Sequence, residues 1–239
     1  MNRHISPSGR YGGVGLDAYS GPEIAEELDD MTIVCAVKES SDSILMGADT
    51  RVVDSAGIAR LMPKMRQLRS EPFVWGVANN MEMGLEYFGE WLEAYSWPPT
   101  SWSAFQPEAT MALAQINGRG RQLAEAARVP PNVPHVTEVI LSGWINGEVQ
   151  IVEMSHDGSS QRRAGLGISA IGSGGMPFLL AYEAFKEQPL SLLTKVRQCL
   201  NAIAMNRADC GPPVDLWRIS RQGAPVDKQP KELVRSDGA

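Results

Sequence analysis

Met31-Thr32-Ile33-Val34-Cys35-Ala36-Val37 and Ser43-Ile44-Leu45-Met46-Gly47-Ala48-Asp49-Thr50-Arg51 are the two stretches on which the fold turns. Each is a short apolar run rich in Ile, Val, Leu and Met. Each is too brief for a stable helix and bounded by turn formers, so each reads as a buried strand. Ser40-Ser41-Asp42 between them supplies a hairpin turn. The second run ends in an aspartate, which is unexpected at the edge of so apolar a strand.

Working outward, Gly57 to Leu68 suits a further hairpin arm carrying Lys64, and Phe73 to Ala78 reads as a buried strand. Asn79 offers an N-cap for a helix in which Leu85, Phe88, Trp91, Leu92 and Tyr95 recur at three- and four-residue steps. Trp97-Pro98-Pro99 ends it, and a second helix is expected over Pro107 to Ala127. Pro130 to Pro134 is a loop. Glu138 to Trp144 and Glu148 to Met154 pair through Asn146-Gly147, a strong hairpin turn. Ser169 to Ile171 runs into the glycine loop Gly172-Ser173-Gly174-Gly175. Helices over Pro177 to Lys186 and Leu190 to Met205 and a strand over Val214 to Arg221 follow.

The order is four strands, two helices, three strands, two helices, one strand. Strands cluster and helices come in pairs, which excludes the strand-helix alternation of a parallel doubly wound sheet. Two antiparallel sheets stacked face to face, with a helix pair outside each, bury every apolar face. The expected class is α+β, a four-layer αββα sandwich. Residues 1–30 are turn-rich, then acidic, without a period of 2 or 3.6, and read as an N-terminal extension. The domain is expected over 31–222, with a polar, proline-bearing tail over 223–239.

Composition narrows the partners. The chain has 239 residues, 43% hydrophobic and 21% charged, with a net charge of -6. No basic block is available to neutralise nucleic-acid phosphates or an anionic membrane. No apolar run reaches the roughly 20 residues needed to span a bilayer. Three widely spaced cysteines, Cys35, Cys199 and Cys210, form neither a zinc spacing nor a CxxC pair. They are expected to be reduced thiols in a cytoplasmic protein. No metal or cofactor is expected.

Three residues suggest chemistry. A hydroxyl is a weak nucleophile until a base takes its proton. A threonine that leads its chain carries such a base, its own α-amine, whose ordinary pKa of roughly 7.7–8.0 leaves a neutral fraction at physiological pH. A nearby ammonium disfavours the protonated amine and stabilises negative charge developing on oxygen. A buried carboxylate must hold that ammonium charged. Thr32, Lys64 and Asp49 suit these roles. Asp49 follows Leu45-Met46-Gly47-Ala48 and Lys64 follows Leu61-Met62-Pro63, and buried charges usually come in pairs.

The same residues carry a resemblance. Thr32-Ile33-Val34, Ala48-Asp49-Thr50-Arg51, Lys64-Met65 and Ala170-Ile171-Gly172-Ser173-Gly174-Gly175 resemble the motifs of proteasome β-subunit-like N-terminal-nucleophile hydrolases. Nearest are the bacterial members, the heat-shock-locus V peptidase and the ancestral-type bacterial proteasome homologue. The resemblance covers about Met31 to Ser220. It implies the αββα sandwich and a threonine-type peptidase acting on peptides or polypeptides, with Thr32 as nucleophile and base and Asp49 and Lys64 as its supports. It also implies a Ser173 hydroxyl near the threonine amine, a weaker part for Asp209, a homo-oligomer in a ring or spiral, and a possible ATPase partner. Two departures stand out. Asn79-Asn80 occupies the place of a glycine pair whose neighbourhood supplies a backbone oxyanion donor, and Cys210 stands where a serine is common.

As the chain is written, Thr32 follows Met31 and has no free amine. Translation from Met31 with methionine removal would free it, and so would cleavage of the extension. If neither occurs, the fold serves as a non-catalytic assembly subunit. Hydrolysis of a non-peptide amide is a further alternative. Ser155-His156-Asp157 is not a triad, because adjacent residues cannot converge on one reacting atom. The glycine loop at Gly172 lacks the lysine of a phosphate-binding loop.

Overall fold

A computed structural model describes residues 32–53, 59–68, 73–81, 83–129, 135–155, 159–163, 165–205, 213–221 and 227–228. Asp209, Cys210, His156, Asp157 and both terminal segments lie outside them.

Two five-stranded antiparallel sheets form the centre. The first contains β1 (Val34–Lys38), β2 (Ser43–Asp49), β10 (Ile168–Ile171), β11 (Val214–Ser220) and β12 (Asp227–Lys228), in the order β10-β1-β2-β11-β12. The second contains β5 (Met65–Gln67), β6 (Val74–Asn79), β7 (Thr137–Ile145), β8 (Glu148–Met154) and β9 (Ser160–Arg162), in that order. A separate ribbon pairs β3 (Arg51–Val53) with β4 (Ala59–Leu61). The helices are α1 (Gly89–Ala94), entered through a π-helical turn over Met83–Phe88, α2 (Trp102–Ala127), α3 (Gly175–Phe185) and α4 (Leu192–Met205).

Alternation along the strands explains the packing, because successive side chains point to opposite faces. Val34, Ala36, Met46 and Ala48 of the first sheet share a buried cluster with Val74, Ile140 and Ile151 of the second. Cys35, Val37 and Leu45 share another with Phe178 of α3 and Val196 and Leu200 of α4. In a third, Trp75, Val77 and Leu141 meet Leu92 of α1 and Phe105 and Leu113 of α2. Both faces of β1 are therefore buried, and its sequence is a continuous apolar run rather than an alternation. Each large side chain so buried contributes about 1.5–3 kcal/mol. Trp91, Tyr95, Trp97 and Trp102 gather around Phe105, with ring centroids 5.1–5.9 Å from it.

Local chemistry moves several expected boundaries. α2 begins at Trp102, not Pro107, because the Ser101 hydroxyl accepts the Ala104 N–H at 3.2 Å and caps the helix earlier. Pro107 falls inside the helix. Asn79 is the last residue of β6, with φ at 68°. The cap belongs to Asn80, whose Oδ1 accepts the Met83 N–H at 3.0 Å. Lys64 is not in a hairpin arm but in the irregular link between β4 and β5. At Asn146-Gly147 both residues have positive φ, 51° and 78°, which matches the right-handed twist of β7 and β8.

Candidate active site

Thr32 precedes β1, Asp49 ends β2, and Lys64 precedes β5 of the other sheet. The three meet at one end of the space between the sheets. Lys64 Nζ donates to both Asp49 oxygens at 2.9 Å and to Thr32 Oγ1 at 3.3 Å. The Ile33 backbone N–H donates to Asp49 Oδ1 at 2.9 Å. One carboxylate thus fixes the lysine and the peptide next to the threonine. Thr32 is 4% exposed, Lys64 1% and Asp49 0%, so this ion pair is shielded from bulk solvent. Burial raises the Asp49 carboxyl above the ordinary carboxylate range, and the Lys64 charge and the Ile33 N–H pull against that shift.

The glycine loop closes on the threonine from the other side. The Gly174 N–H donates to the Thr32 carbonyl at 3.3 Å. Gly172 has φ at 80°, and a Cβ on it would lie 2.0 Å from that same carbonyl oxygen. Only glycine permits both the conformation and the contact. Ser173 sits on this loop but is exposed. Its hydroxyl makes no hydrogen bond with a described residue.

At the Asn79-Asn80 turn, the Asn80 N–H donates to the Val136 carbonyl at 3.0 Å. In this arrangement that N–H is taken up by a backbone partner. Asn79 adopts the left-handed conformation that a glycine there would take most easily. Among the described residues no group of three or more His, Cys, Asp and Glu side chains gathers as a metal site.

Two residues that composition and spacing do not single out stand beside the site. Glu138 Oε2 accepts the Gly172 N–H at 3.1 Å. Asn117 of α2, fully buried, donates to the Thr137 carbonyl at 3.0 Å and accepts the Thr137 N–H at 2.8 Å. A carboxylate on a strand whose neighbours Val139 and Ile140 are wholly apolar is the signal that marks Glu138.

The architecture has a counterpart among solved structures. Eukaryotic HslV from Trypanosoma brucei superposes with a TM-score of 0.54 over 79% of this chain and 99% of that one. The fold is similar to that of HslV. At 16% identity the likeness to HslV supports a proteasome-like fold and goes no further. No family model matches the chain, and no curated protein matches it either.

Proposed function

We propose that the protein is a threonine-type N-terminal-nucleophile peptidase. The observation that carries this reading is the 3.3 Å approach of Lys64 Nζ to Thr32 Oγ1, with the same ammonium held by both oxygens of Asp49. Once Thr32 leads the chain, its neutral α-amine takes the Oγ proton as the oxygen attacks a peptide carbonyl. The tetrahedral intermediate collapses as the leaving amine takes that proton, leaving an acyl ester on Thr32. Water, deprotonated by the amine, attacks the ester, and the acid product and free Thr32 are regenerated. Lys64 stabilises the developing charge on Oγ, and Asp49 holds Lys64. The role of Ser173 at the amine and that of Asp209 belong to this proposal.

The wider reading follows the same line. Three buried clusters, one between the sheets and one between each sheet and its helices, support a four-layer αββα sandwich over a domain of residues 31–222. Exposed Met176 and Leu180 on α3 and Met111 and Leu123 on α2 support assembly with further copies in a ring or spiral. The kinship with bacterial members rests on the motifs between Met31 and Val77. An ATPase partner and a cytoplasmic site of action complete the proposal. No described helix is long and apolar enough to cross a membrane.

One observation favours a non-catalytic assembly subunit of the same fold. The Asn80 N–H, near the expected oxyanion donor, is already given to Val136. Two measurements separate the readings. N-terminal sequencing of protein from its natural source finds Thr32 leading the mature chain if it is a peptidase, and Met1 or a retained Met31 if it is not. A fluorogenic peptide is hydrolysed by the mature protein and by Ser159→Ala, and not by Thr32→Ala.

A further inference from the structure

A side-chain hydrogen bond ties the Gly172 loop to the opposite sheet. Glu138 lies on β7, paired with Ala78 of β6. Val139 packs toward the helices and Ile140 packs between the sheets. Alternation puts Glu138 on the inter-sheet face with Ile140 and Trp144. Glu138 is half-buried near the start of the strand, beside the loop that follows β10. Its Oε2 crosses to the loop after β10 and accepts the Gly172 N–H at 3.1 Å. Gly172 is the residue on which any Cβ would clash with the Thr32 carbonyl, and two residues on, the Gly174 N–H donates to that carbonyl.

The anchor of Glu138 is itself held. Both backbone groups of the preceding residue, Thr137, are taken by the buried Asn117 side chain, and the Thr137 hydroxyl donates to the Ala78 carbonyl at 3.1 Å. A continuous polar relay therefore runs from α2 through the end of β7 to the loop that sets the Thr32 peptide plane. Within that relay, the Glu138 carboxylate bonds β7 to the Gly172 backbone.

We propose that Glu138 is a positioning residue for Thr32, fixing the Gly172–Gly174 loop and through it the orientation of the nucleophile; this rests on the peptidase reading above. Its action is that of a hydrogen-bond acceptor at a fixed reach. Glu138 does not touch the reacting atoms. A small misplacement of a nucleophile is enough to cost on the order of a hundredfold in rate.

Two near-isosteric variants test this on the full mature chain. Glu138→Gln keeps the reach and an acceptor oxygen but loses the charge. Glu138→Asp keeps the charge but falls one methylene short. In hydrolysis of a fluorogenic peptide, Glu138→Gln is expected to retain kcat, and Glu138→Asp to lose tenfold or more in kcat with KM unchanged. Hydrogen exchange at the Gly172 amide is expected to quicken in Glu138→Asp and not in Glu138→Gln. A Glu138→Asp protein with wild-type kcat, or a Glu138→Gln protein as impaired as Glu138→Asp, overturns the positioning role. Unchanged Gly172 exchange in Glu138→Asp overturns the tether itself. A wild-type mature protein that neither cleaves the peptide nor is modified at Thr32 by a peptide vinyl sulfone overturns the peptidase reading, and this role with it.

Discussion

Asp49 Oδ1 accepts both the Lys64 ammonium and the Ile33 backbone N–H, each at 2.9 Å. One oxygen thus joins the two sheets and pins the peptide beside Thr32. The carboxylate is wholly buried and the lysine nearly so. Removing one partner of such a pair leaves an uncompensated charge, at a cost of about 3–5 kcal/mol. Asp49→Asn is expected to lose stability in that range by urea denaturation. The apolar replacement Asp49→Leu with Lys64→Met is expected to recover most of it while abolishing peptide hydrolysis.

Two glycines of α2 lie two residues apart and predict opposite outcomes. A Cβ on Gly118 meets nothing within 4 Å, whereas one on Gly120 would lie 2.4 Å from the His135 carbonyl oxygen. Gly118→Ala gains helix propensity and is expected to stabilise by up to about 1 kcal/mol. Gly120→Ala pushes the helix off the segment leading into β7 and is expected to destabilise. Thermal melts of the two variants check the pair.

The Cys35 and Cys199 thiols are both fully buried. Burial pushes each thiol above its ordinary range, so neither supplies thiolate near neutral pH. Iodoacetamide at mildly alkaline pH is expected to leave both unmodified in the folded protein and to alkylate both in denaturant. Peptide mass mapping reads the outcome residue by residue.

Glu39, just past β1, gives a pH-dependent contribution. Burial alone would raise its carboxyl, but the Ser43 hydroxyl and the Arg218 guanidinium outweigh burial and hold it below its ordinary 4.5. A carboxyl lowered in the folded state adds stability above its unfolded pKa and loses it as pH falls through the folded value. The pair is partly solvent-exposed, so the contribution is under about 1 kcal/mol. The stability difference between wild type and Glu39→Gln is expected in full near neutral pH, to shrink as the pH falls past the ordinary 4.5, and to vanish only below the lower folded value. A difference that grows toward acid contradicts this.

Long buried strands are the most legible part of the fold. β1, β2, β6, β7 and β8 carry apolar runs bounded by turn residues, and their order leaves few ways to bury them. The three-residue strands β3, β4, β5 and β9 are too short to show a period, and tertiary pairing alone defines them. The start of α2 is misread because Pro107 resembles a first-turn proline while the hydroxyl of Ser101 caps the helix five residues earlier. The nearness of Asp49 and Lys64 is legible because both charges sit in apolar surroundings and so need a counter-charge. Glu138 shows as a charge beside apolar Val139 and Ile140, but nothing in the sequence names its partner 34 residues away, and Asn117, whose partner lies 20 residues away, shows not even that.

Lys64 lies on irregular backbone between two strands, so its charge, more than a β-ladder, keeps its side chain in place. That side chain is among the largest fully covered ones in the molecule. Filling the interior and placing a cation beside Thr32 are therefore one event. A copy that fails to bring these opposite charges together is left with a flawed interior as well as an unsupported threonine, so quality control that recognises poor packing would remove it by its interior alone.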